Sequence, residues 1–221
     1  SVMAYIDFMS ATHKSTSRDY LARVNDPEFP KAKAATLAKQ WGYDYWDGDR
    51  RINYGGYRYM PGRWAPVGQA MIDHYGLKPG DKILDIGCGY GPLGLAMGRV
   101  AHKGEVHMVD KDYLAVEYAN RNAIANGLPH CKAYLSNGLS KVPQDYFCDT
   151  VVSNIPAKVG RELLTILLCD SYAQMKPGGQ MVVVTINGLR DFIKRNFKEV
   201  FGNYKKLKQG KAYTVARAIK E

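Results

Sequence analysis

A glycine-rich run between Asp85 and Gly94 has the composition of a loop that approaches a ligand closely. It reads Asp-Ile-Gly-Cys-Gly-Tyr-Gly-Pro-Leu-Gly and lies where a short apolar strand passes into a predicted helix. Glycine lets the backbone turn sharply and come near a bound group, and free N–H groups open the following helix. Asp110 ends the next apolar run, about 20 positions further on, where a carboxylate can accept both hydroxyls of a ribose. These residues predict a site for a ribose-containing cofactor.

Two cofactor classes match this spacing. Gly89, Gly91 and Gly94 match the G-x-G-x-x-G pattern of nicotinamide cofactor binding, which is a weak signal alone. Asp85, however, precedes the first glycine. A carboxylate there would repel a dinucleotide pyrophosphate, but it would not repel a sulfonium compound with an ammonium and carboxylate tail. The acid therefore favours the sulfonium compound, with a phosphate-binding or inactive domain as the alternative.

A second motif, Ser153-Asn154-Ile155-Pro156-Ala157, directly follows a predicted strand. An exocyclic amine conjugated to a ring is a poor nucleophile because its lone pair is delocalised. The side-chain oxygen of Asn154 and the backbone carbonyl of Ile155 can accept its two N–H bonds and raise the electron density on nitrogen, while Pro156 fixes the turn. The motif predicts transfer to an amino nitrogen, and an ordinary strand-end turn is the alternative.

The D-x-G-x-G-x-G run resembles the first motif of the Rossmann-like (class I) S-adenosylmethionine-dependent methyltransferases. The resemblance implies Asp110 on the ribose, Asn137 near the adenine amino group, and Asp85 at the methionine end, directly or through water. The residues that it assigns to the S-adenosylmethionine site are Asp85, Gly87, Cys88, Gly89, Gly91, Asp110, Lys111, Asn137, Gly138 and Asn154.

The Asn-Ile-Pro segment resembles the motif of methyltransferases that modify amino nitrogens of nucleic-acid bases or amides. From about residue 78 to the end, the chain is similar to the small-domain methyltransferases that make N2-methylguanine in small-subunit ribosomal RNA. This resemblance implies a catalytic role for Asn154, Ile155 and Pro156 and favours guanine N2 as acceptor. Ala157 departs from it, because the family usually has an aromatic residue there, stacked on the base. A small amine or other metabolite is the alternative acceptor.

Residues 41–64 combine eight aromatic residues with five glycines and four arginines. Arginines interleaved with aromatics suit stacking on bases and contact with phosphates. The same residues suit a lid over a small substrate, or an arm packed on the domain. The predicted substrate-binding residues in this segment are Tyr57, Arg58 and Trp64.

The alternation of short apolar runs and longer helical segments after residue 80 predicts a parallel sheet with helices on both faces. The expected fold class is α/β, a Rossmann-like doubly wound, mostly parallel seven-stranded sheet with an antiparallel C-terminal hairpin. Residues 1–65 are predicted as a helical and aromatic N-terminal extension, and residues 66–221 as the methyltransferase domain. The predicted strands are 82–86, 106–109, 133–135, 150–153, 181–186, 204–207 and 212–219. The predicted helices are 91–100, 113–126, 161–175 and 189–197.

The chain carries a net charge of +10, and residues 161–221 hold 12 basic and 5 acidic groups. A local basic excess suits RNA as a partner, while a solvated lysine-rich surface is the alternative. No apolar run approaches the ~18 residues of a membrane span, and no signal peptide is visible. The scattered cysteines and histidines predict no disulfide framework and no metal site. We therefore expect a cytoplasmic enzyme without membrane contact.

Overall fold

The computed structural model describes residues 33, 36–37, 39–40, 73, 75–155, 159–210 and 213–221. Its strands are β1 (Lys82–Ile86), β2 (Glu105–Asp110), β3 (Cys131–Leu135), β4 (Cys148–Asn154), β5 (Met175–Ile186), β6 (Lys205–Gln209) and β7 (Tyr213–Ile219). Its helices are α1 (Pro92–Gly98), α2 (Tyr113–Ala125), α3 (Arg161–Gln174) and α4 (Arg190–Phe201), with a 3-10 turn at Asn187–Leu189 before α4. The strands form one sheet in the order β3-β2-β1-β4-β5-β7-β6. The predicted seven-stranded α/β architecture is confirmed.

Strands β1 to β5 are parallel, so all their carboxyl ends meet at one edge of the sheet. The central strands are apolar on both faces because helices cover both. Ile83 and Met108 belong to the core on the α1 and α2 side. Leu84 and Ile86 point the other way, into the core that Phe197 of α4 completes. This packing fixes the edge at which the two sequence motifs end.

Strand β5 begins six residues earlier than predicted. The Lys-Pro-Gly-Gly segment does end α3, but Met175 already pairs with Cys148 before the register shifts and Gln180 pairs with Thr150. Within this shift the Lys176 ammonium contacts both carboxylate oxygens of Asp149 at 2.8 and 2.9 Å. The strand boundary is therefore decided by a partner strand, which local sequence does not reveal.

The C-terminal hairpin continues the sheet in the opposite direction. β7 pairs antiparallel with β5, from Gln180 opposite Ile219 to Ile186 opposite Tyr213. β6 pairs antiparallel with β7 and forms the outer strand. Because β7 starts where β5 ends, Tyr213 lies at the same edge as the carboxyl ends of the parallel strands. The hairpin is therefore separated from the predicted acceptor motif at the end of β4 only by β5, although the two are far apart in sequence.

Candidate functional site

The glycine loop between β1 and α1 is tied to the neighbouring strand β2. The backbone N–H groups of Gly87 and Cys88 donate to the carbonyl oxygen of Val109 at 2.8 and 3.1 Å. Gly87, Gly89 and Gly91 have φ values of 72°, 55° and 84°, a left-handed region that costs other residues free energy. A Cβ added at Gly89 would meet no atom within 4 Å. The loop therefore has open space beside its backbone.

Asp110 stands at the carboxyl end of β2, directly beside this loop. Its Oδ2 accepts a hydrogen bond from the Gly89 N–H at 2.9 Å, and its Oδ1 accepts one from the Asp112 N–H at 3.0 Å. The residue is half-buried, and an ionised carboxylate has about four acceptor positions. The two backbone bonds fix its orientation and leave acceptors for the hydroxyls of a ribose. The geometry fits the predicted nucleoside.

Asp85 is buried, with 2% of its surface exposed. Its Oδ2 accepts a hydrogen bond from the Gly94 N–H in α1 at 2.9 Å. Burial raises the pKa of Asp85 to about 7; the Gly94 hydrogen bond opposes this increase, and the negative charge of Asp110 adds to it. The carboxyl group thus holds the loop against α1, and its contact with the methionine end of the cofactor stays a prediction.

The segment after β3 borders the same edge. The Ser136 N–H donates to the backbone oxygen of Asp110 at 2.9 Å, and the Ser136 hydroxyl donates to the backbone oxygen of Gly138 at 2.8 Å. These bonds hold a turn in which the side chain of Asn137 is exposed. Lys111, exposed, follows Asp110. Asn137, Gly138 and Lys111 therefore lie near the carboxyl ends of β2 and β3, and their roles in cofactor binding, including that of Asn137 toward adenine, stay predictions.

Cys88 is a small buried residue of the glycine loop, and its thiol is not placed to act as a nucleophile. Its side chain is buried, and its thiol lies 3.4 Å from the carbonyl oxygen of Gly89. Burial raises the pKa of the Cys88 thiol, and the negative charges of Asp85 and Asp110 raise it further. Since the thiolate is the reactive form of cysteine, this position does not support nucleophilic chemistry.

Asn154 ends β4 one strand away from the glycine loop. An added Cβ on Gly87 would lie 4.0 Å from the backbone oxygen of Asn154, so the two motifs are adjacent. The side chain of Asn154 is exposed. The N–H of the buried residue Ile155 donates to the backbone oxygen of Val184 at 2.8 Å, which fixes the chain just after the asparagine. The two sequence motifs, which lie some 60 residues apart in the chain, thus meet at one edge of the sheet.

Several predicted residues lie outside the described part of the chain. They are Tyr57, Arg58, Trp64 and Pro156, and the aromatic segment 41–64 as a whole. Their roles stay predictions.

Two residues for which no role was predicted, Ser153 and Asp112, hold the site together. The Ser153 hydroxyl donates to the Ile86 carbonyl oxygen at 2.9 Å and joins the ends of β4 and β1. Asp112 caps α2, where its side chain accepts from the Leu114 N–H at 2.9 Å. An aspartate just before a helical run is a cap signal that the sequence does contain, whereas the Ser153 bond depends on strand order.

Comparison with known proteins identifies the family to which this chain is similar. The family model described as "Methyltransferase small domain" matches residues 67–217. The chain is 30% identical over 140 residues to the uncharacterized protein YbxB of Bacillus subtilis, covering 62% of this chain and 69% of that protein. It is 28% identical over 145 residues to the ribosomal RNA large subunit methyltransferase G of Shewanella amazonensis, covering 63% of this chain and 37% of that protein.

Solved structures agree at the level of the fold. The Thermus thermophilus 16S rRNA N2 G1207 methyltransferase RsmC, in complex with AdoMet and guanosine, superposes with a TM-score of 0.63 at 24% identity, covering 76% of this chain and 45% of that one. A methyltransferase from Pyrococcus furiosus gives a TM-score of 0.59 at 20% identity, covering 84% and 97%. The chain thus spans less than half the length of the ribosomal RNA methyltransferases named here.

No helix among the described residues is both long and apolar enough to cross a membrane. In the same part of the chain, no three His, Cys, Asp or Glu side chains converge on a position where they could hold a metal ion.

Proposed function

Since this chain belongs to the methyltransferase small domain family and is an S-adenosylmethionine-dependent methyltransferase, we propose that its acceptor is an exocyclic amine of an RNA base. N2 of guanine in ribosomal RNA is the favoured acceptor. The division into an extension (residues 1–65) and a methyltransferase domain (residues 66–221) belongs to the same proposal, supported by the family match that begins at residue 67.

The observation that carries the proposal is the position of Asn154. Its exposed amide lies at the end of β4, beside Gly87 of the glycine loop. Among the described residues no hydrogen bond uses this side chain, so its oxygen is available to accept an N–H of the amine. An aromatic amine needs such an acceptor because delocalisation weakens its lone pair. An oxygen placed here holds the nitrogen close to the cofactor and raises its electron density.

The chain's own contribution to the reaction is positioning. S-adenosylmethionine supplies an electrophilic methyl group on a sulfonium centre. Asp110 and the glycine loop orient the nucleoside part, and Asn154 orients the acceptor nitrogen on the adjacent strand. Holding two reactants in an aligned geometry can lower the activation barrier by roughly 7–11 kcal/mol. Burial raises the pKa of the Cys88 thiol, so this thiol is not activated as a nucleophile. The methyl group passes directly from the sulfonium to the acceptor nitrogen.

Charge supports RNA over a small metabolite. The C-terminal 61 residues, 161–221, hold 12 basic and 5 acidic groups. Binding to a phosphate backbone gains affinity by releasing counterions, whereas a small neutral amine gains nothing comparable from such a surface. Two of the similar proteins are, by their names, ribosomal RNA methyltransferases. Turnover on a free small amine, with little dependence on salt, is the outcome that would favour a metabolite instead.

The test is transfer of a radiolabelled methyl group from S-adenosylmethionine to protein-free 16S and 23S ribosomal RNA, compared with a metabolite extract. We expect label in RNA, and N2-methylguanine after nuclease digestion. Asn154→Ala should lower kcat by about 100-fold or more, because misplaced reactants lose alignment, while the affinity for the cofactor is kept. Asp110→Ala should instead weaken cofactor binding by about 10-fold or more, since it removes charge-assisted hydrogen bonds.

Asp170→Ala, which removes an exposed carboxylate from α3, is the matched control for Asp110→Ala and should leave both quantities unchanged. Label only in the metabolite fraction would contradict the RNA proposal. An equal loss of cofactor affinity in Asn154→Ala and Asp110→Ala would contradict the division of roles between the two residues.

A further inference from the structure

We propose that the β6–β7 hairpin forms the surface on which the RNA strand docks beside the acceptor site, with Tyr213 stacking on a base that flanks the target nucleotide. This inference rests on the proposed function. It assigns a second contact to the same RNA and names a positioning residue outside the two sequence motifs. The occupant is a single-stranded RNA segment, which supplies both the stacking base and the phosphates.

Strand register places Tyr213 on the same face as Asn154. Asn154 pairs with Val184, and Val184 pairs with Val215, so these three residues form one row across β4, β5 and β7. Tyr213 is two residues from Val215 on β7 and therefore points to the same face. Two strand spacings and a rise of two residues put the Cα atoms of Asn154 and Tyr213 about 12 Å apart. A purine nucleotide spans most of such a gap, so the tyrosine reaches a neighbouring base.

Tyr213 differs from the other exposed aromatic residues of the described chain by its position. Its surface is 55% exposed, compared with 67% for Tyr113 and 48% for Phe147. Tyr113 begins α2, on the β2 side of the edge where Asp110 stands. Phe147 precedes β4 and lies at the amino edge of the sheet. Among these three rings, Tyr213 alone lies on the acceptor side of this edge.

The charge of the hairpin complements an RNA backbone. Residues 203–220 contain six basic residues and no acidic one. Lys205 of β6 lies directly opposite Arg217 of β7, and cations facing each other across strands destabilise a sheet. No ion pair found among the described residues neutralises either of them. An RNA phosphate bound beside the exposed Lys205 would reduce this repulsion.

Stacking and charge predict different measurable effects. Base–aromatic stacking contributes enough that Tyr213→Ala should raise the Kd for RNA by about 5-fold or more. The KM for RNA should rise equally, while kcat at saturating RNA and the Kd for S-adenosylmethionine stay unchanged. Tyr213→Phe keeps the ring and should retain wild-type affinity. Each lost phosphate contact should reduce the slope of log K against log salt by about 0.7 for single-stranded RNA.

The experiment measures fluorescence anisotropy with a labelled single-stranded RNA oligonucleotide over a salt series, together with methyl transfer to protein-free ribosomal RNA. Phe147→Ala is the matched aromatic control, because it removes a similarly exposed ring at the opposite edge. For charge, the variant Lys205→Gln is compared with Lys132→Gln. Lys132 is an exposed lysine on β3, the edge strand at the other end of the sheet.

The inference is overturned if wild-type protein methylates RNA while Tyr213→Ala binds RNA within 2-fold of wild type, or if Phe147→Ala weakens binding equally. It is also overturned if Tyr213→Ala weakens cofactor binding in parallel, since the tyrosine would then act through the fold. Wild-type protein that binds RNA through Tyr213 but transfers no methyl group would refute the proposed function and leave the docking surface standing. Wild-type protein that does not bind RNA would refute both.

Discussion

Replacement of Asp85 by asparagine is expected to stabilise the cofactor-free protein by an amount that grows as the pH rises from about 4 to about 7. The carboxyl group is 2% exposed and accepts one hydrogen bond, from the Gly94 N–H. Burial, partly opposed by that bond and reinforced by Asp110, raises the pKa of Asp85 from 3.8 to about 7. An unfolded chain ionises the same group near pH 4. Ionisation therefore costs more in the folded state than in the unfolded state.

The direction of the pH effect follows from proton linkage. Between about pH 4 and about pH 7 the folded protein binds more protons at Asp85 than the unfolded chain does, so its free energy of unfolding falls as pH rises. One pKa unit corresponds to about 1.4 kcal/mol. A pKa raised from 3.8 to about 7 therefore makes the ionised carboxylate destabilising by at most about 4 kcal/mol once the pH exceeds the folded-state pKa.

Asparagine keeps an oxygen that can accept from the Gly94 N–H but cannot ionise. Urea unfolding of cofactor-free protein at about pH 5 and about pH 8 should therefore show Asp85→Asn more stable than wild type at both, by about 1–2 kcal/mol at the lower pH and by at most about 4 kcal/mol at the higher pH. Asp170→Asn, an exposed control on α3, should show no such divergence. Parallel loss of stability in wild type and Asp85→Asn across this range, or a less stable variant at the higher pH, would refute the reasoning.

The same residue links stability to binding. If the Asp85 carboxylate faces the ammonium group of the cofactor, as the sequence predicts, ligand binding favours its ionised form. Affinity of wild type for S-adenosylmethionine, measured by calorimetry, should then increase between about pH 6 and about pH 7.5, and Asp85→Asn should show a flatter profile. A proton released on binding in wild type but not in the variant would identify Asp85 as its source. Equal profiles would limit Asp85 to its contact with α1.

The sequence contains most of the information needed to predict the fold. Glycines at the ends of segments, a proline in the first turn of α1 and continuous apolar runs predict the alternation of strands and helices, which the structure confirms. What it could not predict are boundaries that depend on pairing. β3 begins at Cys131, two residues before the predicted start, because Cys131 pairs with Val106. β5 begins at Met175 because it pairs with Cys148. These partners are 25 or more residues away, beyond the reach of local patterns.

The candidate site divides in the same way. The glycine loop, Asp110 and Asn154 could be predicted because strand-end residues of a parallel sheet meet at one edge. The burial of Asp85 could not, since a carboxylate before a glycine looks the same whether it faces a ligand or a helix. The position of Tyr213 needed both the antiparallel direction of β7 and its register with β5. The sequence predicts the hairpin, but only the pairing of β7 with β5 shows that the Tyr213 ring lies on the same face of the sheet as Asn154.

Two further substitutions test how the sheet is held. Gly104→Ala should destabilise the protein by about 1–3 kcal/mol, because an added Cβ would overlap the backbone carbonyl of Asp81. Gly160→Ala, where an added Cβ meets nothing within 4 Å, is the matched control in thermal unfolding. Equal melting temperatures for the two variants would contradict the predicted clash. Asn203→Ala should lower the free energy of unfolding by about 1–3 kcal/mol. The Asn203 amide donates to the Ile219 carbonyl at 2.7 Å and accepts from the Ile219 N–H at 2.8 Å, so its loss frees the end of β7 from the chain after α4. Hydrogen exchange should then accelerate at Ile219 before it does in β1, and unchanged protection there would show that strand pairing alone holds the C-terminus.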